Sequence, residues 1–141
     1  MRIMAVDYGD ARTGVAVSDA LGLLAGFTTV IHGRKAEEVA RQVSRLAKEH
    51  EVQTLVLGFP RNMDGTEGAR ADLYRAFAGL LEQESGLKPV LWDERRTTVE
   101  AHAILHTGGK KMKEHKKNVD AVAAALILEG YLAFLRNQTT T

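Results

Sequence analysis

The sequence predicts an α/β fold built on a mixed five-stranded sheet, antiparallel over its first three strands, with helices on both faces. Three observations predict it. Three short apolar runs separated by turn signals precede any helical periodicity. From Ala36 onward helical and extended patterns alternate, as in chains whose later strands are joined through helices. The chain has 141 residues and 45% hydrophobic content, enough for one sizeable core, so residues 1–137 are expected to form a single domain and 138–141 a frayed tail.

The first strand is the apolar run Ile3–Val6, closed by Asp7 and followed by glycines at 9 and 14. Gly14–Ser18 and Leu24–Ile31 read as the second and third strands, joined by the turn-prone Asp19–Gly22. Between Ala36 and His50, Val39, Val43, Leu46 and Ala47 share one helical face, with charges on the others. Thr54–Leu57 is a buried strand and Gly58–Gly65 a loop. Leu73, Phe77, Leu80 and Leu81 mark the inner face of a second helix that Gly86 ends. Pro89–Trp92 is the fifth strand. Thr97 and Glu100 have the spacing of a capping box, so a helix to about His106 is expected. A basic connector follows, and a last helix, capped by Asn118, carries an alanine-rich face suited to packing on a sheet.

Composition excludes several classes. Without cysteine there is neither a disulfide framework nor a thiolate metal site, and no secretion signal opens the chain, so a cytoplasmic protein is expected. The longest strongly apolar run, Val122–Leu128, is too short to span a membrane. The formal net charge of +1 leaves nucleic-acid binding to local clusters.

In open α/β sheets, sites lie beyond the carboxyl ends of the strands. Asp7 ends the first strand, Asp93 and Glu94 follow the fifth, and Asp120 opens the last helix. Asp7, Glu94 and Asp120 are therefore expected to converge. Clustered carboxylates repel one another unless cations neutralise them, and such oxygen ligands suit Mg²⁺ or Mn²⁺. Two ions about 3.5–4 Å apart can activate a water against a phosphodiester. Each acid also has a plainer role open to it: Asp7 as a turn opener, Glu94 as an ion-pair partner of neighbouring arginines, and Asp120 as a dipole-favoured helix-start residue.

Lys110, Lys111, Lys113, Lys116 and Lys117 concentrate positive charge just before Asp120, where a phosphate backbone would need neutralising. A solvated connector is the alternative. The glycine-punctuated stretch from Gly58 to Gly68 precedes a helix, and its amides could hold a phosphate; equally, Asn62 and Asp64 could stabilise a structural turn there. It lacks the lysine and spacing of a P-loop. His102 and His106 share a helical face without a third ligand and read as packing residues.

The motifs, taken together, resemble the YqgF/RuvX family of the RNase H-like superfamily. They are Val6-Asp7-Tyr8-Gly9 with Arg12-Thr-Gly-Val-Ala-Val-Ser-Asp19, the segment Gly58–Gly68, Asp93-Glu-Arg-Arg-Thr-Thr98 and Asp120-Ala-Val-Ala-Ala124. The resemblance covers nearly the whole chain and implies the RNase H-like fold. It further implies a nuclease acting on structured nucleic acid, described for the family as resolution of four-way DNA junctions or maturation of the precursor of small-subunit ribosomal RNA. The family's acids fall on Asp7, Glu94 and Asp120; Arg12, Asn62, Arg95 and the five lysines are the expected nucleic-acid contacts. Gly58-Phe59 stands where the family more often has Gly-Leu, and Asp10-Ala11 where a lysine commonly precedes the arginine, which removes one positive charge. A homodimer suits a resolvase, which cuts two strands symmetrically. The other classes considered are a non-catalytic RNA-binding or ribosome-assembly factor on the same fold, and an actin-like ATPase, which needs two such domains.

Overall fold

The structure is a computed structural model that describes residues 2–22, 24–60, 70–93 and 119–139. Strands β1 (Arg2–Asp7), β2 (Arg12–Ser18) and β3 (Ala25–His32) precede helix α1 (Ala36–Glu49). Then come β4 (Val52–Phe59), α2 (Arg70–Ser85), β5 (Val90–Asp93) and α3 (Val119–Thr139). The sheet has five strands in the order β3-β2-β1-β4-β5. β1 lies at its centre, antiparallel to β2 through Met4–Val17 and Val6–Val15 and parallel to β4 through Val6–Leu57.

Strand alternation divides the interior into two cores. Met4, Val6, Val15, Val17, Leu55, Leu57 and Phe59 face α1 and α2. Ile3, Ala5, Ala16, Val56 and Trp92 face α3, which offers Ala124, Ala125, Leu128 and Leu132. Alanine on that face lets the helix lie close over β1 and β2. Glu129 of α3, only 5% exposed, accepts a hydrogen bond from the Ala25 amide at 2.9 Å through Oε1. Helix α1 carries Glu37 and Glu38 in its first turn and Lys48 in its last, matching the helix dipole. At the end of α2, Gly86 takes φ +78°, a left-handed conformation that glycine adopts without steric cost, and its amide bonds the Glu82 carbonyl at 2.8 Å.

The elements follow the order expected from the sequence, with local differences. Phe77 and Leu81 are buried as expected, but Leu73 is 45% exposed, and Ala71 and Tyr74 complete the buried face in its place. β2 begins at Arg12 rather than Gly14, because Arg12 and Thr13 pair with His32 and Ile31. Gly58 and Phe59 belong to β4, not to a loop, since both continue the ladder to β5. α3 reaches Thr139, two residues into the expected tail. The helix expected to end near His106 lies outside the described residues. Among the described residues no helix is long and apolar enough to cross a membrane.

Candidate active site at the carboxyl end of the central strand

Asp7 is the last residue of β1 and is half-buried. Its parity with Ile3 and Ala5 puts it on the α3 face of the sheet. Its ladder partner on β2 is Gly14, and on the β4 side the row continues to Gly58, one residue beyond Leu57. Glycine on either side leaves the carboxylate without flanking side chains on that face, as where a ligand approaches a sheet closely.

The turn after Asp7 is held from the opposite face. Tyr8 is buried and stacks on Phe77 with centroids 3.9 Å apart, while Tyr74 meets it edge-on at 5.6 Å. The Tyr74 hydroxyl donates to the Tyr8 carbonyl oxygen at 2.6 Å. Burial raises the Tyr8 phenol above its ordinary pKa, and the negative charges of Asp10 and Glu37 add to the shift. A Cβ at Gly9 would collide with the Arg12 carbonyl oxygen, so only glycine lets the chain double back here. Arg70 and Asp10 approach to 3.6 Å, both largely exposed, a pair that contributes little.

Arg12 is exposed and shares the α3 face with Asp7, two residues along β2 from Gly14. Its ladder partner is His32. On the β5 side, Trp92 pairs with Gly58 in the row of Asp7, whereas Asp93 pairs with Phe59 and by parity faces α1 and α2.

Asp120 lies in the first turn of α3. Helical rise brings it about 14 Å back along α3 from Glu129, which is tied to Ala25. Strand rise carries β3 about 17 Å from Ala25 to Val30, the residue in the row of Asp7 and Gly14. The middle of α3 is thus anchored at the far end of β3, and further along it Tyr131 and Phe134 meet Trp92, which stands in the row of Asp7. Asn62, Glu94, Arg95, Lys110, Lys111, Lys113, Lys116 and Lys117 lie outside the described residues. Among the described residues there is no cluster of three or more acids or histidines that could hold a metal ion.

Sequence reasoning missed Tyr74 and His32. Tyr74 acts through a contact across 66 residues of chain, and His32 is brought beside Arg12 by the register of an antiparallel pair. Neither relationship leaves a local pattern.

A sheet of this order, with its first three strands antiparallel and a carboxylate ending the central strand, defines the RNase H-like class. Solved structures agree on the fold. RuvC of Thermus thermophilus bound to a Holliday junction superposes with a TM-score of 0.60 at 14% identity, covering 95% of this chain and 96% of that one. The Fowlpox virus resolvase in complex with Holliday junction DNA gives 0.57 at 13% identity, covering 99% of each chain. Within that class the chain belongs to the RuvX family, whose profile, described as Holliday junction resolvase, matches residues 1–134. A relative from Carboxydothermus hydrogenoformans named "Putative pre-16S rRNA nuclease" is 43% identical over 134 residues, covering 95% of this chain and 97% of its own. One of the same name from Acetivibrio thermocellus is also 43% identical, covering 94% and 95%.

Proposed function

We propose that this chain is a divalent-metal-dependent endonuclease of structured nucleic acid, with Asp7, Glu94 and Asp120 as its catalytic carboxylates. The observation that carries the proposal is the setting of Asp7: a half-buried carboxylate at the end of the central strand, flanked by Gly14 and Gly58. All donors are carboxylates, a set that suits Mg²⁺ or Mn²⁺. Bound there, two such ions would activate a water and stabilise the leaving oxygen of a phosphodiester.

The protein's own part is positioning. Tyr8, Tyr74 and Phe77 fix the turn that follows Asp7, so its carboxylate is held by packing rather than by a mobile loop. Glu94 follows Asp93, and an extended chain there would bring it to the face of Trp92 and Asp7, across the side-chain-free Gly58. Two strand spacings, about 10 Å, separate β1 from β5. That gap favours the longer glutamate over Asp93. Arg12 contacts the phosphate backbone beside the cut, and Asn62, Arg95 and the lysines from 110 to 117 extend the contact.

The substrate is a four-way DNA junction or the precursor of 16S rRNA, the two named for the family and for its relatives. Junction resolution would require a homodimer, whereas trimming of precursor rRNA would proceed on one chain in the cytoplasm. The test compares cleavage of both labelled substrates by one purified sample, in Mg²⁺ and in Mn²⁺. Cleavage of at least one, lost in Asp7→Asn while binding persists, supports the proposal. Binding without cleavage in either metal would favour a non-catalytic RNA-binding or assembly factor.

A further inference from the structure

Beyond the row of Asp7 and Gly14, the face of the sheet that carries Asp7 continues to one more cross-strand pair, Arg12 of β2 and His32 of β3. Both residues are exposed. We propose that Arg12 and His32 clamp a single backbone phosphate of the substrate beside the cut, an inference that rests on the proposed nuclease function and gives His32 a part in it.

Position comes first. Asp7 pairs with Gly14 and Gly14 with Val30, so Arg12 and His32, two residues further along their strands, fall on the same face as Asp7. Strand spacing and rise put their backbones about 8 Å and 12 Å from that of Asp7. At about 3.4 Å of rise per nucleotide in one strand of a duplex, a phosphate held by both lies within roughly four nucleotides of the cut. Backbone pairing fixes the two residues in place: the Gly33 amide donates to the Ala11 carbonyl oxygen at 3.0 Å, which extends the ladder past both.

Chemistry comes second. Directly opposed residues of an antiparallel pair have their β-carbons about 4.5–5.5 Å apart, close enough for a guanidinium and an imidazole to reach one anion. The imidazole donates an N–H in either protonation state, and the guanidinium donates several. His32 is the one residue of β3 with an ionisable side chain, and among the described residues it has no ion pair or side-chain hydrogen bond. The carboxylates near this end of the sheet are turned to the other side. Asp10 meets Arg70 of α2 at 3.6 Å, and Glu37 opens α1, which packs on the opposite face. Arg34 and Lys35, exposed just past His32, add to the positive charge here. A histidine that merely blunts an edge strand would serve as well elsewhere along β3. This one stands opposite an arginine, where a protonated imidazole would repel the guanidinium unless an anion lay between them.

The experiment uses the full-length chain in an Asp7→Asn background, so that substrate is bound without being cut, and a labelled four-way junction or precursor-rRNA substrate. His32→Ala should weaken binding roughly threefold to tenfold, the worth of about one hydrogen bond, and His32→Lys should restore it. Lys88→Ala, a charge lost from the exposed turn before β5, should leave binding unchanged. A second series replaces single phosphates along the labelled strand by uncharged methylphosphonates. One position, within about four nucleotides of the cut, should abolish the effects of both Arg12→Ala and His32→Ala, because neither variant then has a charge left to lose. His32→Ala binding as tightly as its parent, or the two variants losing their effects at different positions, would overturn the clamp. Cleavage by the wild-type chain alongside either result would leave the nuclease reading standing. A shared position in a protein whose wild type cuts neither substrate in Mg²⁺ or Mn²⁺ would overturn the nuclease reading and leave the clamp as a binding contact.

Discussion

Tyr74 of α2 donates its phenolic hydrogen to the carbonyl oxygen of Tyr8, 2.6 Å away and immediately after the carboxylate that ends β1. Both residues are buried, so the bond forms where water cannot replace it. Through it, α2 sets the direction in which the chain leaves the central strand. Tyr74→Phe keeps the ring but leaves that carbonyl without its donor. It should cost about 1–3 kcal/mol by urea denaturation. Cleavage should fall at saturating substrate, since Asp7 is no longer held in place, while substrate binding changes little.

Two glycines make a matched pair. Gly9→Ala drives a methyl group into the Arg12 carbonyl oxygen, and backbone cannot swing aside as a long side chain can. A loss of about 1–3 kcal/mol is expected, with reduced cleavage. Gly79 lies exposed within α2, and a Cβ there meets nothing within 4 Å. Gly79→Ala should stabilise the fold by about 0.5–1 kcal/mol and leave cleavage as it is. Thermal melts of both variants check the pair.

Tyr8 makes alkaline stability asymmetric. Its folded pKa lies above the unfolded value of about 10, so the neutral phenol favours the fold fully below that pH. The contribution is lost as pH rises through the folded pKa. The wild-type protein should therefore lose more stability than Tyr8→Phe between about pH 9 and 11. Urea midpoints across that range measure the difference, and parallel curves for the two proteins would contradict it.

The strand parity of β5 separates two adjacent acids. Asp93 pairs with Phe59 and faces α1 and α2, away from Asp7. Asp93→Asn should leave most of the cleavage rate. Glu94→Gln should abolish cleavage and keep affinity unchanged or slightly higher, because it removes a negative charge near the phosphates. Cleavage and binding on one labelled substrate at fixed salt check this. A dead Asp93→Asn beside an active Glu94→Gln would reassign the third carboxylate.

The sequence made the order and type of elements legible because each is written locally: apolar runs for strands, spaced apolar residues for α1, alanines for α3. The face of α2 was not. Leu73 and Tyr74 are both apolar enough for the interior, and Tyr74 occupies it because Tyr8 offers a stacking partner and a carbonyl there, which leaves Leu73 outside. Likewise Asp7 could be picked out as a candidate from a strand end, and Arg12 from the motif that carries the family resemblance. The pairing of Arg12 with His32, and the assignment of Asp93 to the opposite face, depend on register, which is fixed only when strands meet.

The bond between Ala25 and Glu129 joins residues 104 positions apart. During synthesis at about 5–20 residues per second, the first three strands would wait roughly 5–20 s for the helix that covers their second face. Through that interval Ala5 and Ala16 lack their cover. A ribosome-bound chain shorter than α3 should therefore be inert toward nucleic acid cleavage, with competence arriving late, together with the last layer of the core.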